Sequence, residues 1–179
     1  MSTEVLPEDV NRFWFEELTP QQQFKKSAEL DADIKARFLP TWHRVLAGET
    51  ESWRATALGR LAEIIVLDQF ARNMFRGLPT AFLADPVALV LAQEAVRSKT
   101  DRELNERQRT FLYIPYMHSE SRKVHEQAMV LYSELPNLDY EIRHKAIIDR
   151  FGRYPHRNKI LGRNSTAEEI EWMKSNPGF

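Results

Sequence analysis

Apolar residues recur at intervals of three and four along most of the chain, which is the spacing of an amphipathic α-helix. The clearest series is Leu30, Ile34, Phe38, Trp42 and Val45. Because Ser27 can cap a helix and Gly48 can end one, this series predicts a helix between them, with a kink at Pro40. Further amphipathic helices are predicted at about residues 7–18, 85–97, 119–135 and 140–151, and after a capping box at 165–169.

One segment predicts the central helix of the fold, from about Trp53 to Phe70. Residues 64–67 form an uninterrupted aliphatic run, Ile-Ile-Val-Leu. A helix that is apolar on most sides is buried among other helices. We therefore expect residues 53–70 to lie at the centre of the molecule.

Prolines and capping residues set the expected ends of the other helices. Asp85 is expected to cap the helix that Pro86 opens. Pro115 is expected to interrupt the apolar segment in which it lies, and Ser119 or Ser121 to cap the next helix. Strand signals are almost absent, since the chain has no Asn-Gly or Asp-Gly hairpin. The sequence predicts an all-α single domain over residues 1–179, with about seven or eight helices.

Composition excludes several classes of protein. The 179 residues include no cysteine, so disulfides and thiolate metal sites are ruled out. The aliphatic run at 64–67 is far too short to cross a bilayer, and residues 1–5 lack the apolar region of a signal peptide. The net charge of −1 argues against a dedicated nucleic-acid-binding protein. We expect a cytoplasmic protein that binds neither membranes nor nucleic acids.

The near-neutral total conceals one basic segment. Residues 141–163 hold seven Lys or Arg against two Asp or Glu. Within this segment, Pro155 is expected to open a short helix whose first N–H groups face Arg153, His156 and Arg157. Such a helix start can hold a carboxylate or a phosphate, because its dipole and the cations act together. The alternative is that these cations cap helix ends and pair with acidic residues elsewhere.

Asp68 directly follows the aliphatic run of the predicted central helix. A carboxylate buried there must be paired or hydrogen-bonded, and Arg72 lies four residues further on the same helical face. Two interpretations stay open. The pair either anchors the end of the helix or turns a carboxylate into a cavity beside Arg72 and Arg76.

His118 is a candidate general base or metal ligand, although a lone histidine is a weak signal. Glu141 and His144 have the Glu-x-x-His spacing of a helical metal-binding motif. A di-iron site needs that motif twice, and Arg143 within this single copy would repel a cation. We therefore predict no metal and no cofactor.

Several longer strings resemble a known family. They are Phe13-Trp14-Phe15, the segment from Leu67 to Gly77, Met117-His118-Ser119-Glu120, the segment from Arg150 to Asn158, and Ile160-Leu161-Gly162-Arg163. Together they resemble the bacterial family called "domain of unknown function 924" over nearly the whole chain. The resemblance implies a helical fold similar to tetratricopeptide-repeat proteins, and no reaction. This chain has Ala71 where the family commonly has Pro, and Tyr154 where it favours Phe.

The signature residues within these strings are polar or charged, which favours a shared polar site over packing alone. The candidate catalytic residues are His118, Glu120 and His156, with Asp68 or Glu120 orienting the histidine. The candidate ligand-binding residues are Asp68, Gln69, Arg72, Asn73, Arg76, Arg150, Arg153, Arg157 and Asn158. The resulting hypothesis is an Arg/His-lined pocket for a small anionic ligand, in an enzyme or a binding protein. The alternative is a helical groove that grips a peptide or protein partner, in particular by a C-terminal carboxylate.

Overall fold

The computed structural model describes residues 4–178, and within them the chain forms nine helices and no strand. The helices are α1 (residues 7–17), α2 (Pro20–Phe24), α3 (Ala28–Leu46), α4 (residues 57–74), α5 (Asp85–Arg97), α6 (Glu106–His118), α7 (Arg122–Tyr132), α8 (Leu138–Phe151) and α9 (Ala167–Ser175). The all-α prediction is confirmed, with one helix more than the upper expected number. The similarity to tetratricopeptide repeats stays a prediction.

Helix α4 is the centre of the fold, as predicted. It packs against α1, α3, α5 and α6, and its residues 61–68 are all buried. It begins at Ala57 rather than at Trp53, because Thr56 caps it and Trp53 belongs to a preceding 3₁₀ turn. The close approach of that turn requires Gly59, where a Cβ would lie 1.8 Å from the Trp53 carbonyl oxygen.

The prediction that Pro115 interrupts its helix is wrong. Helix α6 runs without a break from Glu106 to His118, and its residues Thr110 to Met117 are all buried. Pro115 removes one backbone hydrogen bond. The packing of α6 against α4, α5, α7 and α8 supports the helix on several sides, and this tertiary packing outweighs the local penalty.

One capping prediction is wrong, and another is confirmed for the second of its two candidate residues. Ala84, not Asp85, is the N-cap of α5, so the Asp85 carboxylate is available for other contacts. Ser119 is the C-cap of α6, and Ser121 caps α7 by accepting a hydrogen bond from the Val124 N–H. The capping box of α9 is formed by Thr166 and Glu169, within the predicted range of 165–169.

A second, smaller core joins the C-terminal part of the chain to the rest. It contains Ile147, Ile148 and Tyr154, with Phe151 and Trp172 packed against it. Tyr154 precedes a short 3₁₀ turn, Pro155–Arg157, that leads towards α9. Between residues 4 and 178, no helix has both the length and the apolar character that crossing a membrane requires.

Candidate functional site

Asp68 lies at the centre of a polar cluster where α4 faces the end of α6. A π-helical turn of α4, Val66–Phe70, carries Asp68, whose side chain is 1% exposed. Its Oδ2 is 2.8 Å from Nδ1 of His118 and 3.1 Å from Nη1 of Arg72, and its Oδ1 accepts a 2.7 Å hydrogen bond from Gln69. Burial raises the pKa of Asp68, but the charge of Arg72 and the contacts of His118 outweigh it and hold the pKa below its ordinary value.

His118 is held by Asp68 in one orientation. An ionised Asp68 can only accept a hydrogen bond, so Nδ1 of His118 carries the proton and Nε2 carries a lone pair. Among residues 4–178 no hydrogen bond engages this Nε2, and the side chain is 18% exposed. Burial and the charge of Arg72 lower the pKa of His118 against the opposing effect of Asp68, which favours the neutral ring.

A carboxylate between two arginines borders the Asp68–His118 pair, which we call the dyad. Both oxygens of Asp85 accept hydrogen bonds from Arg72, at 2.9 and 3.0 Å. The same carboxylate is 3.6 Å from Nη1 of Arg157, and the guanidinium of Arg157 stacks between the rings of Phe82 and Tyr154. Burial, followed by the charge of Arg72, lowers the pKa of Arg157. Two positive charges are thus held together beside His118. The side chains of Arg72, Asp85, Arg157 and His118 are each partly exposed, whereas Asp68 is buried.

The predicted residues Asp68, Gln69, Arg72, His118 and Arg157 therefore come together in one place. We call these five residues, with Asp85, the dyad cluster. Their elements are α4, the start of α5, the end of α6 and the 3₁₀ turn that follows Tyr154.

Asn73 and Arg76 do not belong to the dyad cluster. Both donate hydrogen bonds to Asp31 of α3, Asn73 at 2.8 Å and Arg76 at 2.6 and 2.8 Å. They follow Arg72 closely in sequence but point to another side of α4. In this position they join the end of α4 to α3.

Two arginines and one asparagine of the predicted basic segment face the C-terminal helix, α9. Arg153 binds both carboxylate oxygens of Glu169, Asn158 binds the same carboxylate, and Arg150 pairs with Glu168. These contacts correspond to the alternative interpretation, in which the cations of residues 141–163 pair with acidic residues elsewhere.

Directly before the predicted anion site at Pro155, the Tyr154 N–H is bound by a carboxylate of the chain itself. Glu120 accepts a 2.7 Å hydrogen bond from the Tyr154 N–H and forms two hydrogen bonds with Arg163. His156 turns towards α9, where its Nε2 lies 2.6 Å from the Asn176 carbonyl oxygen and its ring packs on Trp172. Among residues 4–178, no hydrogen bond or ion pair joins Glu120 to His118.

A cleft of about 510 Å³ lies between α8 and the C-terminal residues. Arg150 and His156 line it, together with Trp172. The residues lining this cleft include none of the dyad cluster. The predicted residues Arg150 and His156 therefore lie on a different surface from the dyad cluster.

Glu141 and His144 also take up separate contacts. Glu141 turns to His125, and His144 lies 2.7 Å from the Tyr140 carbonyl oxygen. Among the residues described, no group of three or more His, Asp and Glu side chains is arranged to hold a metal ion.

Sequence reasoning missed Asp85, Phe82 and His125. Asp85 is recognisable in the sequence, but its position directly before Pro86 favoured a helix-capping role over a place in the site. Phe82 and His125 have no local signal, because their roles depend on contacts with Arg157 and Glu141 that lie much further along the chain.

The comparisons with known proteins cover nearly the whole chain. The model of a family described as "Bacterial protein of unknown function (DUF924)" matches residues 10–177. A solved structure of a protein of unknown function from Agrobacterium tumefaciens is similar with a TM-score of 0.91 and 34% sequence identity, covering 94% of this chain and 97% of that chain. No curated protein matches. These similarities concern the fold and the family, and they bring no activity with them.

Proposed function

The chain belongs to the DUF924 family of bacterial proteins, as its sequence resemblance indicated, and we propose that it binds a small anionic ligand at the dyad cluster. The ligand carries a carboxylate or a phosphate. Arg157 and Arg72 hold its negative charge, and Nε2 of His118 accepts a proton from it or from a water molecule beside it.

The observation that carries this proposal is the position of Arg157. Its side chain is 14% exposed, and its only hydrogen bond to the described residues runs from Nη2 to the His118 carbonyl oxygen, at 2.9 Å. A guanidinium has five N–H donors, and the donors of Arg157 that have no partner among the described residues are not fully buried, so a ligand in solution can reach them. An anion beside Arg157 would use these donors and would lie next to His118.

The charges within the dyad cluster cancel, so a negative charge brought by the ligand must be offset there. Arg72 and Arg157 are positive, Asp68 and Asp85 are negative, and His118 is neutral. Proton uptake by His118 would offset one negative charge brought by a ligand. The Asp–His arrangement, with Nδ1 held by a carboxylate, also suits His118 to general base chemistry.

Calorimetric titration with inorganic phosphate, acetate and a short peptide tests the proposal. We expect saturable binding of at least one of them at low ionic strength, and at least about a tenfold loss of affinity in Arg157→Gln. Arg150→Gln is the matched control, because it removes the same charge from the same segment at an exposed residue that pairs with Glu168. We expect this control to bind as the wild type does.

The identity of the ligand separates the two hypotheses drawn from the sequence. Binding of phosphate or acetate supports a small-anion site. Binding of the peptide alone, abolished when its C-terminal carboxylate is amidated, supports the peptide-binding alternative instead. Absence of any saturable binding, or equal affinity in Arg157→Gln and the wild type, would refute the anion site.

A further inference from the structure

The end of α6 receives hydrogen bonds from three side chains outside that helix. The carbonyl groups at a helix C-terminus have no following N–H of the same helix to bind them. Here the donors are Tyr154 Oη to the Met117 oxygen, Arg157 Nη2 to the His118 oxygen and His125 Nε2 to the Ser119 oxygen. Three successive carbonyl groups, centred on His118, are therefore bound in turn.

His125 holds its carbonyl group through a fixed proton. The Ser119 oxygen can only accept, so the 2.8 Å contact requires a proton on Nε2 of His125. Nδ1 then faces Oε1 of Glu141 at 2.6 Å, and one further proton is shared between these two atoms. Both side chains are 0% exposed, so water cannot take the place of either partner in this hydrogen bond.

Tyr154 connects this buried pair to the rest of the site. Its hydroxyl lies 3.2 Å from Nε2 of His125, while its ring packs against the guanidinium of Arg157. Tyr154 is 3% exposed. Tyr154, which precedes the 3₁₀ turn, and His125, which belongs to α7, thus both donate hydrogen bonds to the end of α6.

We propose that Tyr154 and the His125–Glu141 pair are positioning residues that hold the end of α6 so that His118 keeps its contact with Asp68 and presents Nε2 outward. The functional meaning of this inference rests on the proposed function, in which His118 lies beside the bound anion. The dyad joins two elements, since Asp68 belongs to α4 and His118 to α6. Its geometry therefore depends on the placement of the α6 end, to which Tyr154 and His125 donate hydrogen bonds, while Glu141 orients His125.

The test follows the titration of His118 by NMR in the free protein. Tyr154→Phe removes the hydroxyl and keeps the ring. We expect it to raise the pKa of His118 by roughly half a pH unit or more. A loosened helix end weakens the contact with Asp68 that raises this pKa, but it also admits water and relieves the burial that lowers this pKa, and burial is the larger effect.

Tyr132→Phe is the matched control. Tyr132 is also a buried tyrosine that donates to a carbonyl group of α6, but its partner is Thr110 near the start of that helix. We expect this variant to leave the pKa of His118 unchanged, even where it lowers the melting temperature as much as Tyr154→Phe does. Equal shifts in the two variants, or none in Tyr154→Phe, would overturn the proposal.

A second pair of variants tests the buried histidine and serves if Tyr154→Phe does not fold. In Glu141→Gln, the amide can donate to Nδ1 of His125, so the Nε2 proton stays on the Ser119 oxygen and the pKa of His118 is expected to stay near the wild-type value. Glu141→Leu removes this partner, and we expect the pKa of His118 to rise. A rise of equal size in both variants would contradict the role of the shared proton.

The titration needs no ligand, so it separates this inference from the proposed function. A shift in Tyr154→Phe without any anion binding supports positioning of His118 and refutes the anion site. Anion binding in a protein whose Tyr154→Phe variant keeps the wild-type pKa of His118 refutes positioning and leaves the anion site standing.

Discussion

At the scale of single residues, the contacts of Asp85 determine how the two arginines are used. Its carboxylate binds Arg72 through both oxygens and lies 3.6 Å from Arg157. Asp85 therefore partly fills the role that a ligand carboxylate or phosphate would have. A ligand at Arg157 is both attracted by the arginines and repelled by Asp85.

Asp85→Asn is accordingly expected to raise the affinity for inorganic phosphate, by about tenfold or roughly 1.4 kcal/mol. The substitution removes the repelling charge and leaves the charge of the two arginines less compensated. Calorimetric titration at low ionic strength measures the effect. Asp33→Asn, which changes the net charge equally at an exposed site on α3, is expected to bind as the wild type does. Unchanged or weaker binding in Asp85→Asn would count against the arginine site.

At the scale of the elements, α4 shows how a close approach of backbone determines a residue. Gly59 lies in the first turns of α4, directly against the 3₁₀ turn that contains Trp53. Its backbone needs no left-handed conformation, so the requirement for glycine is one of space. That turn and the N-terminus of α4 can meet only if no side chain stands between them.

Gly59→Ala is expected to lower the free energy of unfolding by about 3 kcal/mol, the upper part of the usual range for overpacked sites. The new Cβ would lie 1.8 Å from the Trp53 carbonyl oxygen, so the turn must move. Urea unfolding followed by circular dichroism measures the loss. Gly48→Ala is the comparison, because its φ of +78° is strained for alanine but no atom lies within 4 Å of the new Cβ. We expect a loss of about 1 kcal/mol there, and equal losses in both variants would contradict the steric argument.

At the scale of the whole molecule, buried histidines make stability depend on pH. His144 lies in α8 within the C-terminal part of the molecule and is 7% exposed. Burial lowers the pKa of His144 from 6.5 to about 3. The unfolded chain therefore binds a proton at this residue between those two pH values, whereas the folded chain does not. Stability is accordingly expected to fall as the pH drops from about 6.5 towards 3, and His118 acts in the same direction.

His144→Phe is expected to weaken this pH dependence, although it also removes the contact with the Tyr140 carbonyl oxygen. Between pH 7.5 and pH 5, His144 alone should cost the wild type about 2 kcal/mol of unfolding free energy. Urea unfolding at the two pH values gives the difference for each protein. The exposed His43→Gln variant should behave as the wild type does. A His144→Phe protein that loses as much stability as the wild type would show that His144 is not the group responsible.

The helices and their approximate ends could be predicted from the sequence, because they depend on residues within one or two turns of each other. The errors occurred where tertiary contacts outweighed local preference. Pro115 lies inside a helix that is packed on several sides, and Asp85 pairs with Arg72 instead of capping its helix. For Arg150 and Arg153, the sequence left open whether they bind an anion or pair with acidic residues. It could not decide, because their partners Glu168 and Glu169 lie in α9.

By itself, the sequence determined the all-α fold, the central position of α4 and the pairing of Asp68 with Arg72, because helical spacing alone places those two side chains on one face. Only the tertiary structure decided that His118, 50 residues from Asp68, completes the dyad and that Arg157 joins it while Arg150 and Arg153 do not. The physical reason is the range of the interactions. Helical periodicity acts between near neighbours in the chain, whereas the partner of a buried charge is set by which helix ends the packed core brings into contact.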